Sequence, residues 1–179
     1  MKTENARTDR AKPIWPSDYS QAGHKNVLRQ WSHLALSLKG KITIIKSLAL
    51  PKIIYITNIL WTPVWFGLEI QKAMNEFVWH GKPNRIQKNV LIQDYRYGGL
   101  RHLDYMSFVK AQKISWLKRL WANQNSFSVN YLRRCFNNMT FADIISLSMD
   151  PKKLQQLNIP LFYEEVLEYW YETKRQPSD

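Results

Sequence analysis

The sequence is poor in cysteine, glycine and acidic residues. Cys135 is the one cysteine among 179 residues, which excludes an intramolecular disulfide framework and favours a reducing, intracellular compartment, nuclear or cytoplasmic. The six glycines lie between apolar runs, and those runs carry helical spacing more often than the alternation of strands. Asp and Glu number 14 against 26 Lys and Arg, so the net charge is +12. These scarcities together predict a basic, mainly helical protein.

Residue patterns that support catalysis are also missing. Two-metal nucleotidyl transfer needs carboxylates that converge on a pair of metal ions, and the chain has no Asp-Asp pair. It also lacks a glycine-rich phosphate loop, a dinucleotide fingerprint and a nucleophile elbow. The one pair of adjacent acids, Glu164 and Glu165, falls in the first turn of a predicted helix. Carboxylates are stabilised there by the positive end of the helix dipole. The sequence therefore predicts no catalytic residue, no cofactor and no small-molecule substrate, and hence no enzyme activity by the chain itself.

The four histidines and the cysteine do not have the spacing of zinc ligands. A zinc site built from His80, His102 and Cys135 is conceivable, but ordinary polar histidines and a packed thiol explain these residues better. We therefore expect no metal site.

The run ITIIKSLALPKIIYITNILW, residues 42–61, has roughly the length of a bilayer span. Lys46 and Lys52 lie near its middle, where each would cost about 2.5 to 3.5 kcal/mol on insertion scales. Pro51 lacks an amide hydrogen and clashes with the preceding helical turn. We therefore expect no membrane span but a kinked, buried helix pair with a solvated lysine edge.

The apolar spacing predicts an all-α fold, an irregular multi-helix bundle with a kinked helix at Pro51. Gly40 is expected to end the first helix and Asp104 to cap the fourth, with a basic loop between the third and fourth helices. Residues 1–22 are polar and lack a secretory signal, so we predict a flexible N-terminal arm there. The helices are predicted at residues 24–38, 41–61, 64–79 and 105–123, with shorter ones from about 126, 151 and 160. We predict a main helical domain at residues 23–122 and a C-terminal helical extension at residues 123–179.

The positive charge lies in the first two thirds of the chain. Residues 1–120 hold 20 Lys and Arg against 7 Asp and Glu, whereas residues 121–179 hold 6 against 7. A basic region interleaved with aromatic residues is typical of nucleic-acid binders, because cations placed on phosphates release condensed counterions. A solvated basic surface, or one attracted to acidic membranes or partners, would have the same composition. The candidate nucleic-acid-binding residues are Lys39, Lys41, Lys46, Lys52, Lys82, Arg85, Lys88, Arg96 and Arg101.

Aromatic residues near these cations could stack on bases. Tyr95 and Tyr97 are candidates for such stacking faces, whereas Trp79 continues the apolar side of its helix and is expected in the core. In the segment FVWHGKPNRI, residues 77–86, we expect Phe77 to anchor the core together with that tryptophan. The glycine and proline that follow should end the helix and leave Lys82 and Arg85 facing outward.

Three segments in order resemble the region after the polymerase palm in reverse transcriptases of non-LTR (LINE-type) retrotransposons. They are LSLKGKITIIKSLALPKIIY, FVWHGKPNRI and YGGLRHLDYMSFVKAQKISWLKRL, and they span residues 31–121 approximately. Each alone is a weak signal, but three in order are specific. The matching positions are Leu38, Gly40, Lys41, Ile45, Lys46, Leu50, Pro51, Lys52, Tyr55, Phe77, Trp79, Lys82, Arg85, Ile86, Gly98, Gly99, Leu100, Asp104, Ala111 and Trp116.

The resemblance implies a thumb-like domain that grips the template and primer, with RNA/DNA hybrid or duplex nucleic acid bound independently of sequence. It also implies a fragment without fingers, palm or endonuclease, and therefore without polymerase chemistry of its own. The chain departs from the family at LRHLD, residues 100–104, where many relatives have a proline after the two glycines. Within this pattern we expect Lys39, Lys46, Lys82 and Arg85 to contact nucleic acid.

Two other interpretations remain open from the sequence. The chain could be a helical protein-interaction module, such as a domesticated domain of a transposable element, that docks a partner through its aromatic residues. It could also be a decayed copy without a present function. An exposed aromatic patch with dispersed cations would favour the interaction module.

Overall fold

Helices account for all regular secondary structure in the part of the chain that the computed structural model describes, residues 17–83, 85–147 and 149–175. This confirms the predicted all-α class. A π-helical segment, Ile45–Ala49, and a 3-10 turn, Tyr95–Tyr97, interrupt the α-helical order. The α-helices are α1 (Ser17–Ser32), α2 (Leu38–Ile44), α3 (Pro51–Ile59), α4 (Val64–Trp79), α5 (Lys88–Ile92), α6 (Tyr105–Ala122), α7 (Phe127–Cys135), α8 (Phe141–Ser146), α9 (Pro151–Gln156) and α10 (Leu161–Arg175).

The helices form two compact units. The described part of unit 1 comprises residues 17–60, 64–83 and 85–104, and that of unit 2 comprises residues 61–63, 105–147 and 149–175. The boundary predicted from the sequence lies after residue 122, at the end of α6. The units divide before α6 because this helix packs chiefly against α10, near the end of the chain. Of the predicted N-terminal arm, residues 1–16 lie outside the described residues, and residues 17–22 belong to α1.

In unit 1, α1 packs against α3, α4 and the π-helical segment, and α2 packs against α4 and the π-helical segment. Its centre is apolar, and burial of such side chains is the main favourable contribution to folding. α1 also buries His24 in this core, although an imidazole is polar. The fully buried apolar residues of the unit include Ile45, Ala49, Ile53, Phe66, Ile70 and Met74.

The first two helices differ from the prediction. α1 ends at Ser32 rather than at residue 38, and α2 begins at Leu38 rather than at residue 41. The side chain of Ser37 caps α2, because its Oγ accepts a hydrogen bond from the backbone N–H of Gly40 at 3.1 Å. Gly40 therefore lies in the first turn of a helix and does not end the preceding one.

The kink at Pro51 was predicted correctly. The helical segments Leu38–Ala49 and Pro51–Ile59 are bent by 51°. Pro51 has no N–H to donate to the preceding turn, and the turn before it widens so that the N–H of Leu50 donates to the carbonyl of Ile45 at 2.9 Å. The wide turn contains Lys46, one of the candidate nucleic-acid-binding residues.

α4 begins and ends where the sequence predicts. Phe77 and Trp79 are buried at its C-terminal end, as expected for core anchors. The chain then leaves the helix through two residues with positive φ, His80 at 51° and Gly81 at 70°. Lys82 follows on the surface, so the segment is a helix end with an exposed basic side chain.

Unit 2 contains an unexpected charge pair in its core. The sequence predicts that Glu164 and Glu165 interact with the helix dipole at the start of α10, but both side chains are buried. Glu165 instead pairs with Lys113 of α6, whose side chain is also buried. The pairing is possible because Lys113 lies on the inward stripe of α6, one turn from Val109 and Leu117.

The remaining short helices begin at polar caps. Ser126 caps α7 and Asp150 caps α9, as their positions in the sequence suggested. α8 was not predicted; its cap is Thr140, whose Oγ1 accepts from the N–H of Asp143 at 3.2 Å.

Within the described residues, no single helix has the length and apolar character needed to cross a membrane. The bent pair around Pro51 meets that requirement by length and composition only.

Candidate nucleic-acid interface

The predicted basic loop between α4 and α6 folds back on itself. The N–H of Arg101 donates to the carbonyl of Gln93 at 2.9 Å, so the end of the loop returns to its middle. Gly98 reverses the chain with φ of 75°, a conformation that glycine adopts without a steric penalty. Gly99 allows the close approach that follows, because a Cβ at this position would lie 2.1 Å from the carbonyl oxygen of Gln93. Gly98 thus permits the reversal of the chain, and Gly99 permits the close contact with Gln93.

The folded loop brings two cations close to the ring of Tyr95. The Nζ atom of Lys39 lies 5.0 Å from the centre of the Tyr95 ring, and the Cζ atom of Arg101 lies 5.3 Å from it. Cations within about 6 Å of a ring centre are attracted by its negative faces. Tyr95 itself is 43% exposed, so this arrangement lies at the surface.

A third cation, Lys46, belongs to the same electrostatic environment. Partial burial and then the charge of Arg101 lower the pKa of Lys46. Burial and then the charge of Lys46 lower the pKa of the neighbouring His102, while the charge of Asp104 opposes that shift. We call Lys39, Lys46, Tyr95 and Arg101 the Tyr95 cluster.

Asp94 orients Arg101 within the cluster. Its Oδ2 atom accepts a hydrogen bond from Nε of Arg101 at 2.8 Å and a second one from the Nη2 atom. The N–H of Arg96 donates to Oδ1 of the same carboxylate at 3.1 Å, and these contacts lower the pKa of Asp94. Asp94 therefore offsets part of the positive charge but holds the guanidinium beside the Tyr95 ring.

One candidate residue does not reach the surface. Lys41 is only 4% exposed, and its Nζ atom donates to the backbone carbonyl of Val78 at 2.8 Å. That carbonyl is one of the last of α4, where a cation is favourable because the helix dipole is negative. Burial lowers the pKa of Lys41. The expectation that Lys41 binds nucleic acid is therefore corrected: it stabilises the end of a helix.

The other candidates lie outside the Tyr95 cluster. Lys88 forms an ion pair with Asp104, whose Oδ1 atom lies 2.5 Å from Nζ, so its charge is partly neutralised within unit 1. Three more, Lys52, Lys82 and Arg85, are exposed, as is Arg96 within the 3-10 turn.

Aromatic side chains at the surface can supply faces for stacking. Tyr97 is 78% exposed and lies two residues from Tyr95, in the same 3-10 turn. Trp79 is buried, in agreement with its expected place in the core. Trp116, a landmark of the sequence resemblance, packs edge-on against Phe162 with ring centres 5.4 Å apart. Tyr97 is therefore the most accessible ring near the cluster.

Sequence reasoning missed the role of Asp94. This residue is seven positions from Arg101, and only the reversal at Gly98 brings the two together. A recognisable signal did exist, since an aspartate before a short turn commonly accepts hydrogen bonds from backbone N–H groups.

The described residues contain no group of three or more His, Cys, Asp or Glu side chains that could hold a metal ion. His80 is exposed, whereas His102 is buried with Nε2 at 3.3 Å from Oδ1 of Asn75. The exposed cations of unit 1 can attract anions, and its exposed tyrosine rings can stack on other flat rings.

No protein-family model matches the chain, and no solved structure gives a significant match. The likeness to reverse transcriptases consequently rests on the ordered sequence segments alone.

Proposed function

We propose that the chain binds nucleic acid through the Tyr95 cluster, as a thumb-like part of a non-LTR retrotransposon reverse transcriptase. The observation that carries this proposal is the exposed ring of Tyr95 with the cations Lys39 and Arg101 close over it. Its substrate class is RNA/DNA hybrid or duplex, gripped through phosphates without regard to sequence. The exposed Lys82 and Arg85 extend the basic surface along the chain beyond α4.

The charges of the cluster support binding to phosphates. The cluster contains three cations, and Asp94 beside Arg101 supplies one carboxylate, so the positive charge exceeds the negative. Lys39 is exposed and Lys46 partly exposed, and each can release counterions when it approaches a phosphate. Arg101 is fixed by Asp94 and has further N–H groups for a second acceptor.

We propose no polymerase chemistry for the chain on its own. The resemblance covers residues 31–121 approximately, and the metal-binding carboxylates of the polymerase palm are not among the matched segments. The role would therefore be to hold the substrate of a catalytic portion, not to transform it.

Fluorescence anisotropy over a series of salt concentrations tests the proposal. The probes are a labelled RNA/DNA hybrid of about two helical turns, a DNA duplex and the separate strands. We expect log K to fall linearly with log salt, with a slope of about −0.9 for each phosphate contacted. The double variant Lys39→Ala/Lys46→Ala should reduce the magnitude of that slope by roughly two.

A matched control removes the same charge elsewhere. Lys72 and Lys152 are exposed on α4 and α9, and Lys72→Ala/Lys152→Ala should change the slope by less than half as much. Lys41→Met should leave the slope unchanged, because that ammonium faces a carbonyl in the core. Absence of salt-dependent binding to every probe, or equal effects of the two double variants, contradicts the proposal.

A further inference from the structure

Unit 2 has an apolar groove on its surface, formed by α6, α8 and α10. The groove encloses about 310 Å³, at the lower end of the range of roughly 300 to 1,000 Å³ for ligand sites. Five of its six lining side chains are apolar. The lining residues are Ile114, Leu117, Lys118, Trp121, Ile145 and Trp170.

Hydrogen bonds hold the walls of the groove in place. Nε1 of Trp170 donates to the carbonyl of Ile145 at 2.8 Å, so the polar atom of the indole is satisfied and its ring remains for apolar contacts. Nζ of Lys174 donates to the carbonyl of Ser146 at 2.9 Å and thereby stabilises the C-terminal end of α8. The groove is therefore formed without a ligand.

Trp121 gives the groove an exposed anchor. Its side chain is 51% exposed, although one side of the ring packs against Phe141 with ring centres 6.2 Å apart. Tryptophan residues beside a preformed pocket often dominate the energy of protein interfaces.

The charged residue that lines the groove is a lysine, Lys118, and no lining residue is acidic. Lys174 adds a second ammonium at the α8 wall, where it donates to two backbone carbonyls. An occupant that carries carboxylates beside its apolar side chains complements this rim. A nucleobase fits less well, because the hydrogen-bonding edges of a base would meet mostly apolar side chains.

We propose that this groove binds an acidic amphipathic peptide, whose aliphatic or aromatic side chains enter between Trp121 and Trp170 and whose carboxylates approach Lys118. The mode is that of a helix in a groove, in which residues at helical spacing fill an apolar cleft. It is a protein-interaction surface on unit 2, distinct from the Tyr95 cluster of unit 1.

Binding of a designed peptide to the full chain tests this inference. The probe is a labelled synthetic helix of about 15 residues with leucine on one face and glutamate on the other. At physiological salt we expect it to bind at least about tenfold more tightly than the same peptide with lysine for glutamate, or with serine for leucine. Trp121→Ala should weaken binding of the leucine and glutamate peptide at least about tenfold.

Two further variants make the result specific. Trp65→Ala removes a tryptophan of similar exposure, 52%, from unit 1 and should leave peptide affinity unchanged. Lys118→Glu changes an exposed side chain, so the fold should persist, and it should reverse the preference toward the lysine peptide. Equal binding of all three peptides, an unaltered affinity of Trp121→Ala, or displacement of the peptide by an oligonucleotide that competes at the groove would overturn the proposal.

Discussion

Nζ of Lys113 lies 3.0 Å from Oε2 of Glu165, and both side chains are buried in unit 2. The same carboxylate accepts hydrogen bonds from the N–H of Thr62 at 3.2 Å and from the hydroxyl of Tyr169 at 3.1 Å. The ammonium also lies 4.3 Å from the centre of the Phe162 ring. Burial lowers the pKa of Lys113 and raises that of Glu165, while each partner's charge opposes the shift of the other. Each charge therefore depends on the presence of the other.

Removal of one partner should be far more costly than removal of both charges. We expect Lys113→Met to lower the free energy of unfolding by roughly 3 to 5 kcal/mol, because Glu165 would be left as an unpaired buried carboxylate. Lys113→Met/Glu165→Gln should recover much of that loss, since glutamine keeps an acceptor for Thr62 and Tyr169 without the charge. Urea denaturation of the single and double variants measures both effects.

An exposed ion pair between the same two helices serves as the control. Lys110 and Glu172 lie 2.8 Å apart, and their side chains are 42% and 45% exposed. Lys110→Met should cost no more than about 1 kcal/mol, because solvent screens the pair. Similar losses for Lys110→Met and Lys113→Met would contradict the argument from burial.

The adjacent glycines of the loop should respond differently to alanine. Gly99→Ala places a methyl group against the carbonyl oxygen of Gln93, so the backbone must move, and we expect a loss near 3 kcal/mol. Gly98→Ala meets open space and costs about 1 kcal/mol from its positive φ alone. Thermal and urea unfolding measure the stability of both variants. A smaller loss of stability for Gly99→Ala than for Gly98→Ala would contradict the argument from the close contact with Gln93.

His24 should make unit 1 sensitive to acid. Burial, and next to it the charge of Lys25, lowers the pKa of His24 from 6.5 to about 4. The neutral ring is favoured in the folded state, so its contribution is complete above pH 6.5 and is lost as the pH falls toward 4. The full difference corresponds to about 3 kcal/mol. The His24→Leu variant should lose less stability than the wild type between pH 7 and pH 4 in urea titrations.

The exposed His33 provides the matched comparison for this pH effect. His33→Gln should retain the acid sensitivity of the wild type, because this variant leaves the buried His24 in place. If His24→Leu and His33→Gln had the same dependence on pH as the wild type, the loss of stability in acid would have to arise from other groups.

Features that depend on a few neighbouring residues were predictable. Pro51 bends its helix because a proline lacks the N–H and clashes with the turn before it, whatever surrounds it. α4 has the predicted bounds, since apolar side chains recur at helical spacing between Pro63 and the glycine at position 81. Gly40 was misassigned because a glycine in the first turn of a helix and one at the end of a helix look alike until the cap at Ser37 is known.

The site was only partly predictable for a different reason. Lys39 and Lys41 are two residues apart, yet one lies over the Tyr95 ring and the other is buried against a carbonyl 37 residues away. Charge patterns alone do not separate such neighbours, because a lysine on the core side of a helix is rare and requires a specific acceptor. The same holds for Lys113 on the inward stripe of α6.

The sequence by itself determined the helical class, the bend at Pro51, the glycine turn and the excess of positive charge in the first two thirds of the chain. These follow from backbone constraints and composition, which act within a few residues or need no structure at all. Only the tertiary structure decided which lysines meet solvent and that Lys39 and Arg101 both lie close over the Tyr95 ring. Such placements depend on how segments distant along the chain pack together, and packing determines which charges remain in water.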